Sequence, residues 1–284
     1  MLSLVSGDFR LDLAPRTGGA IVGLTWRGED LLRRGDAGDI LDVSQFPMLP
    51  FCNRIANGAF RFAGEAIALP TNMPADSFPL PLHGYGWVGP WTVGEQRSDL
   101  VTLHYDGSGD AWPWDYAARQ TFRITPGRVM MTLAVTNRAG TAMPAGLGFH
   151  PYFPCNDRTI YHGLHRERWT TDAQGLPDRH TVSDEAIDWW RALPVQTQPV
   201  DDIFAGREGP LTVVWPDRSL GVRLCPDDTL GFTTVFAPAG ADFLCVEPAT
   251  LMTNAFNRGA TAPLAPGATR EVHLTLEPFR TAGA

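Results

Sequence analysis

Residues 2–13 read LSLVSGDFRLDL, and this stretch predicts the fold class. Apolar and polar side chains alternate on both sides of Gly7-Asp8, which is the pattern of two half-buried strands joined by a tight turn. Similar runs, most of them paired around a turn, lie at 20–26, 60–69, 116–137, 211–225 and 271–277. The 29 glycines and 24 prolines are spread evenly along the chain, which favours many short strands over long helices.

These patterns predict an all-β protein, built as one large antiparallel β-sandwich. No fixed-period repeat indicates a propeller or a solenoid. No shift in composition marks a domain boundary, so residues 1–284 are interpreted as a single domain. One segment, 183–190, has a helical pattern, with Ser183 as its cap and two acidic residues in its first turn.

Composition excludes several classes of function. The net charge is −8 and no run of Lys or Arg occurs, so a nucleic-acid partner or an anionic membrane is disfavoured. The first 15 residues lack the pattern of a secretory signal, and no apolar run is long enough for a membrane helix. None of the four cysteines forms a C-x-x-C pair, which predicts reduced, buried thiols in a cytoplasmic protein, without a metal or other cofactor.

Four separated motifs carry side chains suited to acid–base chemistry or to ligand binding. They are Asn53-Arg54-Ile55, Leu82-His83-Gly84, Phe149-His150-Pro151-Tyr152-Phe153 and Val246-Glu247-Pro248. The Arg54 guanidinium can donate two parallel hydrogen bonds to a substrate, although a surface arginine paired with an aspartate fits the same pattern. His83 is followed by glycines at 84 and 86, which let the backbone approach a ligand. A simple loop histidine is the alternative interpretation of His83. Trp87, further along the same motif, offers an apolar face to a pyranose.

The other two motifs bear the candidate proton-transfer groups. His150 lies among aromatic residues, and an imidazole is a natural proton donor near neutral pH. A core histidine bonded to a backbone carbonyl is the alternative. Glu247 ends an apolar strand, where a carboxylate is either a paired core charge or a site residue. Asp201 is a further candidate acceptor for sugar hydroxyls, with the adjacent Asp202 as the alternative, although aspartates at loop ends are also common turn formers.

The order of these motifs, with Asp201-x-x-Phe204 and Asn254-Ala255-Phe256-Asn257, resembles the aldose 1-epimerase (galactose mutarotase-like) family across nearly the whole chain. The resemblance implies the β-sandwich often called a supersandwich, with its site in a cleft on one sheet. It implies that His150 is the general acid and Glu247 the general base, and that Arg54, His83 and Asp201 orient the substrate. The Gly-Leu-Gly-Phe segment before His150 departs from the best-known galactose mutarotases, which places the chain in a divergent branch.

The implied reaction interconverts the α and β anomers of a free sugar by opening and reclosing its ring. Glu247 takes the proton of the anomeric hydroxyl while His150 protonates the ring oxygen, which requires an ionised Glu247, a protonated His150 and a bell-shaped pH profile. The substrate is either a neutral hexose or pentose, or an anionic hexose that carries a sulfonate or a 6-phosphate. The protein is a monomer or a homodimer. A non-catalytic sugar sensor and a polysaccharide-processing domain remain as alternatives, although a pure binder needs no acid–base pair.

Overall fold

Strands dominate the computed structural model, which describes residues 1–74, 76–109 and 111–281. In chain order the strands are β1 Leu2–Ser6, β2 Phe9–Ala14, β3 Ala20–Trp26, β4 Glu29–Asp30, β5 Gln45–Met48, β6 Ala59–Phe62, β7 Glu65–Ala68, β8 Thr92–Gln96, β9 Leu100–Asp106, β10 Tyr116–Thr125, β11 Arg128–Asn137, β12 Met143–Pro144, β13 Gly148–Pro154, β14 Ile160–Thr171, β15 Pro177–Asp188, β16 Val200–Trp215, β17 Leu220–Pro226, β18 Phe232–Ala237, β19 Phe243–Ala249, β20 Pro263–Leu264 and β21 Thr269–Arg280. Short 3-10 helices span Ile40–Asp42, Ala56–Gly58, Val195–Thr197, Pro216–Arg218 and Ala255–Arg258.

Seventeen strands belong to one large sheet, in which every strand pair is antiparallel. The pairs β6–β7 and β12–β20 form two small separate sheets. The large sheet includes both the first strand and the last. The predicted antiparallel β-sandwich is therefore confirmed.

The opening hairpin forms as the alternation predicts. Leu2 lies opposite Leu13 and Leu4 lies opposite Leu11, with Gly7 at a positive φ in the turn. Leu4, Leu11 and Leu13 are buried while the polar residues between them face outward. Strands also form at 20–26, and hairpins form within 60–69, 116–137 and 211–225. The last predicted strand is part of β21.

The predicted helix at 183–190 is wrong, because most of this segment belongs to β15. Val182 lies opposite Glu167 and Asp188 lies opposite Leu164, so backbone pairing with β14 satisfies the groups that a helix would have paired internally. The Asp188 side chain then accepts hydrogen bonds from the backbone N–H groups of Trp190 and Ala192, at 3.0 and 2.9 Å. This turn ends the strand. Short polar side chains favour turns as readily as helix starts, which explains the misleading pattern.

Strands β13 and β19 are covered on both faces, and the candidate site residues lie on one of these two faces. In β13 and β19 the alternate side chains face two different apolar clusters. The larger core receives Phe149, Phe153, Leu244 and Val246. The opposite face carries a smaller cluster that includes Phe46, Trp87, Tyr152 and Cys245. Because side chains alternate along a strand, His150 and Glu247 share this second face with Tyr152 and Cys245.

Two predictions from composition concern cysteines and membranes. Cys52, Cys155, Cys225 and Cys245 are all free thiols, and three of them are buried as predicted, whereas Cys225 is only half-buried. Among the described residues, no helix has the length and apolar character needed to span a bilayer.

Candidate active site

Strand register brings the two candidate proton-transfer groups side by side. Gly148 lies opposite Ala249 and Tyr152 lies opposite Cys245, so the antiparallel register places His150 of β13 opposite Glu247 of β19. Directly opposed residues have Cβ atoms about 5 Å apart, which lets an imidazole meet a carboxyl. The sheet therefore joins two residues that are far apart in the sequence.

The same register extends into two rows of side chains across the sheet. Phe46 of β5 lies opposite His150, and Thr234 of β18 lies opposite Glu247. Two residues further along each strand, on the same face of the sheet, a second row of side chains crosses β13, β19, β18 and β16. Its members are Tyr152, Cys245, Phe236 and Asp201.

His150 and Glu247 are in direct contact. The Nε2 atom of His150 lies 3.1 Å from Oε1 of Glu247, and the side chains are only 7% and 3% exposed. The other polar atom of each side chain, Nδ1 of His150 and Oε2 of Glu247, is buried without a hydrogen-bond partner among the described residues. Unpaired buried polar atoms are costly, so these two are ready to bind a ligand.

Burial favours the neutral form of both groups. It lowers the pKa of His150 to about 3, with Arg33 and Arg54 acting in the same direction. Burial and the Asp201 carboxylate raise the pKa of Glu247 well above its usual range, although Arg54 opposes this. Burial thus disfavours the ion pair, because neither charge is solvated, and the ionised state predicted for catalysis stays a prediction. These shifts favour a proton on Glu247 over one on His150, which leaves the pair one proton to transfer.

Aromatic rings fix the orientation of the His150 imidazole. The Phe46 ring stacks on it, with centroids 4.4 Å apart and an interplanar angle of 29°. The His83 ring meets it edge-on at 5.0 Å. Trp87 lies behind this group, 4.8 Å from Phe46 and 5.3 Å from His83. Its side chain is fully buried, and its Nε1 donates to the carbonyl of Leu82 at 2.8 Å. The Trp87 ring thus packs against the Phe46 and His83 rings and holds them in position.

A tight loop holds His83 in the cavity wall. His83 has a positive φ of 55°, and its backbone N–H donates to the Asn53 carbonyl at 2.9 Å. Gly84 follows at φ 77°, where an added Cβ would lie 1.8 Å from the Leu49 carbonyl oxygen. Only glycine fits this approach. Burial, with His150 and Arg54, lowers the pKa of His83 well below its usual range, so it acts as a neutral imidazole.

Arg54 presents its guanidinium to the cavity. Nη1 donates to the side-chain oxygen of Asn53 at 3.1 Å, and no carboxylate of the described residues forms a salt bridge with Arg54. Its carbonyl accepts a hydrogen bond from the Asn254 N–H at 2.8 Å, which ties the loop to the segment after β19. The alternative of an arginine paired with an aspartate is therefore wrong. The guanidinium keeps donors free for a ligand.

The two adjacent aspartates have different surroundings. Asp202 is buried in a salt bridge, where Nη2 of Arg168 lies 2.6 Å from its carboxylate. Asp201 lines the cavity instead, and burial raises its pKa while Arg54 lowers it. Alternation along β16 sends the two side chains to opposite faces. Asp201 is thus the carboxyl that can reach a ligand here.

Arg33 is a cavity residue that the sequence did not reveal. Its guanidinium carbon lies 3.7 Å from the Tyr152 ring centroid and 5.0 Å from that of Phe243. Nε donates to the Val43 carbonyl at 3.0 Å, and Nη2 donates to the Leu41 carbonyl. Arg33 precedes another arginine in an unremarkable loop, so no local pattern singles it out. Its position depends on contacts with distant strands.

The side chains described above surround a cavity of about 370 Å³. This volume is in the range of small-molecule sites. All six residues predicted for the site line it, namely Arg54, His83, Trp87, His150, Asp201 and Glu247. The residues that sequence reasoning missed are mainly Arg33, Leu41, Asp42, Phe46, Phe78, Phe236 and Phe243. Apolar rings with a few converging polar groups suit a sugar, which has C–H faces and hydroxyl edges.

One group of described residues has the geometry to hold a metal ion. Ligand atoms of His150, Cys245 and Glu247 lie within 4.8 Å of one another. Burial raises the pKa of the Cys245 thiol well above its usual range, which disfavours the thiolate that metals prefer. The arrangement supports proton transfer between His150 and Glu247 more directly.

Comparison with known proteins identifies the family and the fold. The family model for aldose 1-epimerase matches residues 2–277. An uncharacterized protein of Escherichia coli K12, YphB, is 31% identical over 97% of this chain and 98% of its own length. The crystal structure of a candidate aldose 1-epimerase from Escherichia coli K12 has a TM-score of 0.89 at 27% identity, covering 98% of both chains. A galactose mutarotase-like protein from Clostridium acetobutylicum shares the fold, with a TM-score of 0.84 at 17% identity over 98% of this chain and 95% of its own.

Proposed function

This chain belongs to the aldose 1-epimerase family and is an isomerase, and we propose that it interconverts the α and β anomers of a neutral free aldose at the His150–Glu247 pair. The contact between these two buried groups carries the proposal, because it holds an acid and a base within one proton transfer of each other. We also propose that residues 1–284 act as one domain, since the large sheet contains both the first and the last strand.

The proposed reaction begins with the neutral pair. When sugar hydroxyls enter the cavity, they hydrogen-bond to the unpaired Nδ1 of His150 and Oε2 of Glu247 and stabilise charge there. The proton of Glu247 then crosses the 3.1 Å contact to His150. This gives the carboxylate and the imidazolium that ring opening requires.

Ring opening moves two protons and breaks one bond. The Glu247 carboxylate takes the proton of the anomeric hydroxyl, the imidazolium of His150 gives its proton to the ring oxygen, and the bond between C1 and that oxygen breaks. The aldehyde rotates about its C1–C2 bond and closes on its opposite face, with the proton transfers reversed. Each transfer contributes about 10²- to 10⁴-fold to the rate. The pair has the same total number of protons before and after the cycle.

The other cavity residues position the sugar in this proposal. Arg54 and Asp201 supply a donor and an acceptor for hydroxyls, and His83 supplies its unpaired Nδ1. Trp87 contributes by supporting the His83 and Phe46 rings. Outside the His150–Glu247 pair, two carboxyl groups, those of Asp42 and Asp201, line the cavity with the two guanidiniums, so no excess of cationic groups is available for an anionic substituent. This balance supports a neutral sugar over a sulfonated or phosphorylated one.

Anomeric exchange measured by NMR tests the proposal. The panel is glucose, galactose, a pentose, glucose 6-phosphate and a sulfonated hexose, each at anomeric equilibrium. We expect faster exchange for a neutral sugar and at least a hundredfold loss in His150→Gln. His165→Gln is the matched control, because His165 is also buried but lies outside the cavity.

Binding of a sugar without faster exchange would support the sensor alternative and contradict the isomerase mechanism. A preference for an anionic sugar would contradict the neutral substrate class. Equal rates in wild type and His150→Gln would remove His150 from the mechanism.

A further inference from the structure

A second cavity adjoins the first. Its volume is about 350 Å³, close to that of the catalytic cavity. The two share four lining residues, which form the wall between them: Arg54, Phe78, Leu82 and Asp201. Arg54 and Asp201 therefore lie within reach of a ligand in either cavity.

The turn between β14 and β15 builds the far side of this second cavity. Thr171 Oγ1 donates to the Asp201 carbonyl at 2.7 Å, which ties the turn to β16. Asp172 Oδ1 accepts from the N–H groups of Gln174 and Leu176, at 2.8 and 3.0 Å. These hydrogen bonds stabilise the conformation of the turn. The turn that bounds the second cavity is thus tied to β16 and braced by its own backbone.

Gly175 brings this turn against Arg54. At its φ of 72°, an added Cβ would lie 2.7 Å from Arg54 Nη1. The backbone of the turn thus packs on the Arg54 guanidinium. The guanidinium also donates to the Asn53 side chain and lines the second cavity. Arg54 is held where it can contact a ligand in both spaces.

The lining of the second cavity suits a polyhydroxylated, uncharged group. Ser77 and Gln174 offer a hydroxyl and an amide, and Phe78 and Leu80 offer apolar surface. Two carboxyl groups, Asp172 and Asp201, face one guanidinium in this space. A phosphate or a sulfonate would meet net negative charge there, whereas sugar hydroxyls can donate to the carboxylates.

We propose that the second cavity binds a second sugar unit, so that the preferred substrates are neutral reducing disaccharides. The inference rests on the proposed mutarotase function. The reducing ring lies in the first cavity with its anomeric carbon at His150 and Glu247. The glycosidic oxygen lies beside Arg54 and Asp201, and the second ring fills the space enclosed by the β14–β15 turn.

The experiment compares anomeric exchange of glucose, maltose and cellobiose by NMR, in wild type and in two variants. Ala173→Trp places a large ring in the second cavity from an exposed turn position, outside the catalytic cavity. Thr181→Trp is the matched control, because Thr181 is an exposed residue of the same hairpin and lines neither cavity. Thermal melts check that all three proteins are folded.

In wild type we expect kcat/KM for at least one disaccharide to exceed that for glucose by about tenfold, since binding of the remote ring lowers the barrier. Ala173→Trp should reduce that value by about tenfold and leave glucose unchanged, while Thr181→Trp changes neither sugar. Glucose as good a substrate as both disaccharides, or an equal loss for all sugars in Ala173→Trp, would overturn the second subsite while the mutarotase function stands. No exchange with any sugar would reject the proposed function, and this inference with it.

Discussion

Replacing Glu247 by glutamine should change the rate of anomeric exchange and the free energy of unfolding in opposite directions, with catalysis lost and stability gained. The amide keeps the shape of the protonated carboxyl and can donate to His150 Nε2 across the same 3.1 Å contact. It cannot give up a proton and then take one back. Since general acid–base catalysis contributes about 10²- to 10⁴-fold, the exchange rate should fall by that factor, or about 3 to 5 kcal/mol in activation free energy.

The same substitution should make the protein more stable at neutral and alkaline pH. Burial raises the pKa of Glu247 above its unfolded value, so the unfolded chain loses its proton at a lower pH than the folded one. The free energy of unfolding of wild type therefore decreases as pH rises from the unfolded pKa towards the folded one, by about 1.4 kcal/mol for each unit between them. Glutamine does not ionise, so Glu247→Gln is free of this loss.

Two measurements on one protein test this reasoning. NMR exchange gives the rate, and urea melts between pH 4 and pH 9 give the free energy of unfolding. Cys245→Ala is the control on the same strand, since Cys245 lies beside the pair but carries no proton in the proposed cycle. It should retain most of the wild-type rate. Glu247→Gln with an undiminished rate would refute the role of Glu247, and a stability difference independent of pH would refute its raised pKa.

Three other substitutions test the backbone, a buried histidine and the aromatic wall. Gly84→Ala should lower the free energy of unfolding by about 2 kcal/mol or more, because its Cβ would lie 1.8 Å from a carbonyl oxygen. Gly127→Ala, at a similar φ but in open space, should cost only about 1 kcal/mol in the same urea melts. Burial lowers the pKa of His165 to about 3, so stability should fall with pH below 6.5. His165→Gln should reduce that slope by about 1.4 kcal/mol per pH unit, and an unchanged slope would contradict the lowered pKa. Phe46→Ala should cost about 3 to 5 kcal/mol and slow anomeric exchange, while Phe46→Leu retains more of both; full activity in Phe46→Ala would show that stacking on His150 does not matter.

Much of the fold was predictable because local patterns carry it. The alternation in residues 2–13 is satisfied by burying one face of a hairpin, and the structure buries Leu4, Leu11 and Leu13 as that rule requires. The segment 183–190 shows where the rule fails. Its short polar side chains fit a helix start as well as a turn, and pairing with β14 decided between them.

The candidate site was predictable only as a set of motifs. The side chains of these motifs do line one cavity, but no local sequence pattern predicts the contact between His150 and Glu247. That contact depends on the register of β13 with β19. Phe46 was missed because a buried phenylalanine is ordinary in any core, and only its place opposite His150 gives it a role.

The two cavities depend on very different parts of the fold, and this bears on how substrate range can diverge within such a family. His150 and Glu247 lie on interior strands, where each neighbour is packed and most changes are costly. The second cavity is bounded by the tip of a hairpin whose residues are largely exposed. Substitutions at such surface positions usually change stability by less than about 0.5 kcal/mol. Mutations can therefore change the lining of the second cavity repeatedly, while the His150–Glu247 pair and its proton transfers stay unaltered.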